Sequence, residues 1–278
     1  MTILVTGARG NVGRAVVDVL VAAGQDVRAS SRDATTLDVP DGVAKVSADL
    51  ESPETLEAAL DGVGAVFLYT QRQGIDGFVK AAEAAGVRHV VLLSSGATLE
   101  PRSAQSRIAQ LHRVVEEALI AASFGETLLN PGAFATNALG WRAGIAEGVV
   151  RTAYPDSRSG AIHERDIADV AAKILVDGSH VGAALQLSGP EPISFREQAA
   201  VLSDVLGRPL RVEELTPGQA AERMVALGWP PEVPPEVLRA MERTTREPSV
   251  VTDVVRDVTG NAPRTFRQWA QEHRADFS

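Results

Sequence analysis

Apolar positions in residues 1–130 fall into short β-branched runs separated by stretches with helical spacing. Ile3-Leu4-Val5 predicts a buried strand, and Val16, Val19, Leu20 and Ala23 repeat at the interval of a helix starting near Val12. Further strands are expected over Asp26–Ser31, Ala44–Ala48, Ala65–Tyr69, His89–Leu93 and Glu126–Asn130. Between them, helices are expected from Ser52-Pro53-Glu54 to Leu60, over Phe78–Ala85, and over Ser103–Ala122. In the last of these, Ile108, Leu111, Val115 and Leu119 form the apolar stripe, with His112 beside it. Strands alternating with helices imply βαβ units, and hence an α/β protein with a doubly wound parallel sheet.

Beyond residue 150 the rhythm changes. One more helix, over 164–177, is expected to pack on the sheet. From Gln186 the chain turns mostly helical and proline-punctuated, at Pro209, Pro217, Trp229-Pro230-Pro231 and Val233-Pro234-Pro235. The expected division is a Rossmann-type nucleotide domain over 1–180 and a smaller helical substrate lobe over 181–278.

Composition narrows the chemistry. The chain has no cysteine, which excludes disulfides, thiolate metal sites and cysteine nucleophiles. Its five histidines show no pair at metal-ligand spacing, so no metal is expected. A net charge of −9 argues against general affinity for nucleic acid or an anionic membrane surface. The first residues lack a basic region followed by a signal-length apolar core, and no apolar run reaches spanning length; a cytoplasmic location is expected. The oligomeric state stays open, with a homodimer carried as one arrangement.

The densest chemical signal is Thr6-Gly7-Ala8-Arg9-Gly10-Asn11-Val12-Gly13, between the first strand and the first helix. Gly7 suits a tight turn, Gly10 lets backbone approach a diphosphate, and Gly13 lets the helix pack close to the sheet. The helix start then offers unpaired N–H groups, including those of Asn11 and Val12, to the anion. The second strand ends Ser30-Ser31-Arg32-Asp33, where an NAD site usually carries a carboxylate. Arg32 can grip a 2′-phosphate bidentately, Ser31 can add a hydrogen bond, and Arg9 can reach the same group. These residues favour NADP(H) over NAD(H), against the alternative that they are solvated strand-end side chains. Asp49 and Leu50 follow the third strand where an adenine contact is expected, although Asp49 equally suits a turn. Thr70, ending the fourth strand, is a further candidate for the cofactor groove.

The Gly-x-x-Gly-x-x-Gly spacing resembles the short-chain dehydrogenase/reductase superfamily. Leu129-Asn130-Pro131-Gly132-Ala133-Phe134-Ala135-Thr136-Asn137 looks like the "R-P-x-x-F-x-x-N" segment of its atypical, NmrA-like branch. His163-Glu164-Arg165-Asp166-Ile167-Ala168-Asp169-Val170-Ala171 is similar to that branch's "D-I-A-x-V-A" helix, and Pro263-Arg264-Thr265-Phe266-Arg267-Gln268-Trp269-Ala270 to its ending. Asn130 departs from the branch's usual arginine. The resemblance implies an NADP(H)-binding oxidoreductase, yet it aligns the superfamily's "Y-x-x-x-K-x-x-x-E" helix with Ile108, His112 and Glu116. Isoleucine delivers no proton, so the usual tyrosine–lysine machinery is absent.

Three functional classes follow: a reductase with another proton source, a non-catalytic NADP(H) redox sensor acting through a protein partner, or a scaffold. For the reductase, the catalytic candidates are His112, Ser94 and Tyr69, with an ordered water as the alternative source. The competing expectation for His112 is a helix-stabilising pair with Glu116 one turn on. Phe134, Asn137, Trp141 and Tyr154 are expected to line an apolar pocket between sheet and lobe for a small quinone, imine, enone or carbonyl acceptor.

Overall fold

In a computed structural model, which describes residues 1–101 and 103–277, the chain forms the following elements. The first stretch runs β1 (Thr2–Val5), α1 (Asn11–Ala22), β2 (Val27–Ser31), β3 (Ala44–Ser47), α2 (Leu56–Leu60), β4 (Val63–Tyr69), α3 (Ile75–Ala84), β5 (His89–Leu93), α4 (Arg107–Ile120) and β6 (Gly125–Pro131). Next come α5 (Arg142–Ala146), β7 (Val149–Thr152), β8 (Arg158–Ser159), α6 (Glu164–Asp177), β9 (Ala183–Leu187) and β10 (Ile193–Ser194). The last are α7 (Phe195–Leu206), β11 (Arg211–Glu214), α8 (Pro217–Ala226), α9 (Pro234–Thr244), α10 (Val254–Thr259) and α11 (Phe266–Glu272).

These elements divide into two compact units that interleave along the chain. The first contains Met1–Pro131, Glu164–Leu187 and Val254–Asn261; the second contains Gly132–His163, Ser188–Asp253 and Ala262–Ser278. The single boundary expected near residue 180 is therefore replaced by several passages between units.

In the first unit, seven parallel strands lie in the order β3-β2-β1-β4-β5-β6-β9. The order reverses direction between β1 and β4, which makes the carboxyl ends of those strands a ligand crevice in sheets of this kind. Strands β4 and β5 are buried along almost their whole length, as expected of parallel strands covered on both faces. Leu4, Val66, Leu68, Phe78, Val90, Leu92, Val115 and Leu119 form one apolar layer over the sheet. On the other face, α1 packs against α6, and small buried residues (Gly13, Ala15, Ala168, Ala171, Ala172) let the two helices approach. Helix α6 also touches β4, β5 and β6, in line with the expected packing of residues 164–177.

Element positions follow the apolar pattern closely, with two informative differences. The helix expected from Ser52 begins as a 3-10 turn, Pro53–Thr55, and Ser52 makes no side-chain cap. In α4 the buried positions are Ala109, Val115, Glu116 and Leu119, while Ile108 and Leu111 are half-buried. A carboxylate occupies the buried face where only apolar residues were expected.

In the second unit, a parallel pair (β7, β11) and an antiparallel pair (β8, β10) accompany five helices. Fully buried Trp269 stacks on Phe266 at 5.1 Å within a core containing Ile145, Val150 and Leu202. Prolines that punctuate this part of the sequence start helices: Pro217 opens α8 behind a Thr216/Gln219 capping box, and Pro234 opens α9. Among the described residues, no helix is long and apolar enough to cross a membrane.

Candidate functional site

The turn after β1 is built as the glycine spacing implies. Gly7 adopts φ 63°, and a Cβ there would stand 3.0 Å from Tyr69 Cβ. A Cβ on Gly13 would lie 2.3 Å from the Gly7 carbonyl oxygen, so only glycine lets α1 start this close to the loop. Gly10 is different, because a Cβ there would meet nothing closer than the Gly7 oxygen at 3.4 Å. The chain's own packing does not demand glycine at residue 10, whereas close approach by a ligand does. Gly10 is the N-cap of α1 with no side-chain cap, and no acidic residue lies in the first turn. The N–H groups of Asn11, Val12 and Gly13 therefore face an anion site with no competing carboxylate on that turn. This cradle fits a dinucleotide diphosphate.

At the carboxyl end of β2, Arg32 is exposed, and no carboxylate among the described residues pairs with it. Arg9 is exposed as well. Asp33, the alternative ribose ligand, is engaged locally. Its carboxylate accepts from the Thr35 hydroxyl at 2.6 Å and the Thr35 N–H at 3.0 Å. Those two bonds hold its pKa below the ordinary carboxylate range, with a smaller pull from Arg9. The Ser31 hydroxyl donates to the Asp33 carbonyl at 2.6 Å rather than lying free for a phosphate.

Three other cofactor candidates have local partners. Asp49 accepts from the Glu51 N–H at 3.1 Å, which is the turn role weighed for it. Leu50 is buried in the apolar layer over the sheet. The Thr70 hydroxyl donates to the Leu93 carbonyl at 2.5 Å, tying the ends of β4 and β5 together.

The catalytic candidates separate. Tyr69 is 57% exposed at the carboxyl end of β4, its Cβ against Gly7. His112 is half-buried and does not take Glu116 as its partner. Its Nδ1 lies 2.8 Å from the Ile108 carbonyl, so Nδ1 carries a hydrogen. Ser94 is buried, and its hydroxyl donates to Glu116 at 2.5 Å. The same Glu116 oxygen, Oε1, lies 3.0 Å from the Thr98 hydroxyl and accepts from Asn130 Nδ2 at 3.0 Å. Asn130 is fully buried, and its Nδ2 also reaches the Ser95 carbonyl at 3.2 Å. Sequence reasoning missed this network. The one available signal was Asn130, which breaks the family pattern at the end of β6.

The four expected pocket residues all belong to the second unit, in different settings. Phe134 is half-buried and begins a 3-10 stretch that carries exposed Asn137. Trp141 is half-buried against the unit's core, edge-on to Phe195 at 5.8 Å. Tyr154, at φ 49°, packs in a separate cluster with Met224 and Met241.

Residues 7–178 match the model of a family described as NAD(P)H-binding. The chain belongs to this family. It is 41% identical to the (4-alkanoyl-5-oxo-2,5-dihydrofuran-3-yl)methyl phosphate reductase of Streptomyces griseus, covering 99% of each chain. It is 33% identical to an NAD(P)H azoreductase of Xenophilus azovorans, again over 99% of each. Among solved structures, the Citrobacter sp. triphenylmethane reductase complexed with NADP(H) superposes with a TM-score of 0.80 at 22% identity, covering 98% of this chain and 99% of that one. The NmrA-like fold expected from the motifs is the fold found. This NAD(P)H-binding chain stands among NAD(P)H-dependent oxidoreductases.

Proposed function

We propose that the chain is an NADPH-dependent reductase acting on a small, apolar, electron-poor acceptor, with a conjugated carbon–carbon double bond as the favoured group. The observation that carries the cofactor choice is the exposed Arg32 at the end of β2, next to an Asp33 carboxylate that is already taken up by the Thr35 hydroxyl and N–H. Arg9 adds positive charge to the same end of the crevice. The conjugated double bond, and not the apolar character, is supported by the 41% identical relative, named for reduction of an alkanoyl dihydrofuranone that carries a charged phosphate. Quinones, imines and simple carbonyls belong to the same panel.

When bound, the reduced nicotinamide supplies the hydride. The chain's own part is to hold the acceptor carbon, keep water away and provide one proton. A conjugated acceptor becomes an enolate after accepting hydride, and an enolate needs weaker acid assistance than the alkoxide formed from a ketone. That suits a site without the tyrosine–lysine pair. His112 is the proposed proton source, giving the proton from Nε2 in its doubly protonated form because Nδ1 keeps its hydrogen for the Ile108 carbonyl, with Tyr69 or a water as the alternatives; Ser94 has its proton committed to Glu116.

The test measures cofactor binding by calorimetry, then follows NADPH absorbance with an alkanoyl dihydrofuranone, a quinone, an azo dye and a ketone. Oxidation with at least one conjugated acceptor is expected, faster with NADPH than with NADH. Tight binding with no turnover on any acceptor would overturn the reductase and leave the sensor.

A further inference from the structure

Glu116 is an expensive residue to bury. The residue is only 8% exposed on α4, and its three side-chain neighbours at Oε1 are all neutral. A buried carboxylate is tolerated only where hydrogen bonds replace its lost hydration. Here the replacing groups come from three separate places in the chain. Ser94 follows β5, Thr98 lies in the 3-10 turn Gly96–Leu99, and Asn130 lies at the end of β6. One oxygen atom thus gathers the turn after β5, the end of β6 and the middle of α4. Other bonds seat the same turn. Arg113, also on α4, donates to the Thr98 carbonyl at 3.1 Å and to the Ser103 hydroxyl at 2.8 Å. A Cβ on Gly96 would stand 3.1 Å from the Pro131 carbonyl oxygen, so the turn lies tightly on the end of β6.

The turn's position gives the clamp a role. Arg32 puts the phosphorylated ribose, and with it the adenosine half, on the β2 side of the reversal between β1 and β4. The other half of a dinucleotide then extends over the carboxyl ends of β4 and β5. The residues following β5 are those that Glu116 holds. We propose that Glu116 is a positioning residue for the nicotinamide half of the cofactor, acting through the turn 94–99 and making no contact with ligand itself. This rests on the nucleotide-binding reading above and adds a residue that neither the glycine motif nor the absent tyrosine–lysine pair involves. The clamp needs an acceptor oxygen at this point rather than a negative charge, because every donor it gathers is neutral.

The test compares two ligands by calorimetry on the full chain: NADPH, and 2′-phospho-ADP-ribose, which keeps both phosphate groups' contacts but lacks nicotinamide. Glu116→Leu is expected to weaken NADPH about tenfold while changing the fragment less than about twofold. Glu116→Gln, which keeps an acceptor oxygen, is expected to recover most of the NADPH affinity. Thr98→Val removes one member without stranding a carboxylate beside a void, and gives the same selective loss in smaller measure if the leucine variant does not fold. Equal losses for both ligands, no loss for either, or a glutamine variant no better than leucine would each overturn the positioning role. Failure of the unaltered chain to bind either ligand would instead remove the nucleotide-binding reading on which it stands.

Discussion

Arg32 and Gly13 answer different questions about the same loop. Arg32 is exposed with no carboxylate partner among the described residues, so its removal is expected to cost the fold little, and the proposed role makes it act on ligand choice. Arg32→Ala is expected to weaken NADPH binding about tenfold or more, as loss of a charge-assisted pair implies, and to leave NADH nearly unchanged. Equal losses for both nucleotides in calorimetry would refute the phosphate assignment. Gly13 is a matter of space, because a methyl group there would stand 2.3 Å from the Gly7 carbonyl oxygen. Gly13→Ala must move either the loop or the start of α1, which is expected to cost about 1–3 kcal/mol of stability. The same shift should abolish the rise in Tm that NADPH gives the unaltered chain. Gly13 was legible in the sequence because its role depends on neighbours in the chain. Glu116 was not. Its burial is decided by donors at residues 94, 98 and 130, and no helical periodicity distinguishes a clamped carboxylate from a solvated one.

At the level of elements, the apolar runs located the sheet strands up to β6 and the helices between them, because each alternation of period reports a local burial pattern. Strand β9 was not recognised. Ala183–Leu187 is short and carries no β-branched residue, and it becomes a strand only because β6 offers it an edge. Its approach is fastened by a relay outside the ligand crevice. Thr127 on β6 donates its hydroxyl to the His180 carbonyl at 2.9 Å, in the turn before β9. With that proton committed, the 2.9 Å contact between Thr127 and His89 on β5 must use a hydrogen on His89 Nε2. Nδ1 is then a bare nitrogen, buried with no partner. Burial holds the pKa of His89 below its ordinary value of 6.5. The unfolded chain therefore takes up this proton first as pH falls. The stabilising contribution is complete above the unfolded value and is lost as pH drops below it towards the lower folded value. Tm followed from about pH 8 down to about pH 5 should fall less in His89→Gln, which keeps a donor to Thr127, than in the unaltered chain. A difference of one kcal/mol corresponds to about 2–4 °C for a protein of this size. Parallel curves would show that the imidazole does not titrate against the fold.

For the whole molecule, the change of rhythm after residue 150 suggested a lobe boundary near 180, but a shift in composition does not say which strand completes a sheet. Residues that complete the first unit lie on both sides of that point. β9 pairs with β6 from Thr127 opposite Ala183 to Pro131 opposite Leu187, and α10 packs on both β9 and α6. A chain ending at residue 180 would lose both. The outer edge of β6 would then present unpaired backbone groups beside buried Leu128 and Leu129, which is a template for association with other chains. α6 would lose Val255 and Val258 of α10, both buried in the full chain, from the packing that covers it. The fragment retains every residue of the glycine cradle, together with Arg9 and Arg32, so a sequence-based division would expect it to bind NADPH. The interleaved fold leads to the opposite expectation: aggregated material in size-exclusion chromatography, no cooperative thermal transition, and no NADPH-dependent gain in Tm. A monomeric fragment that melts cooperatively and gains stability from NADPH would show that β9 and α10 are accessories to the nucleotide-binding unit rather than part of its core.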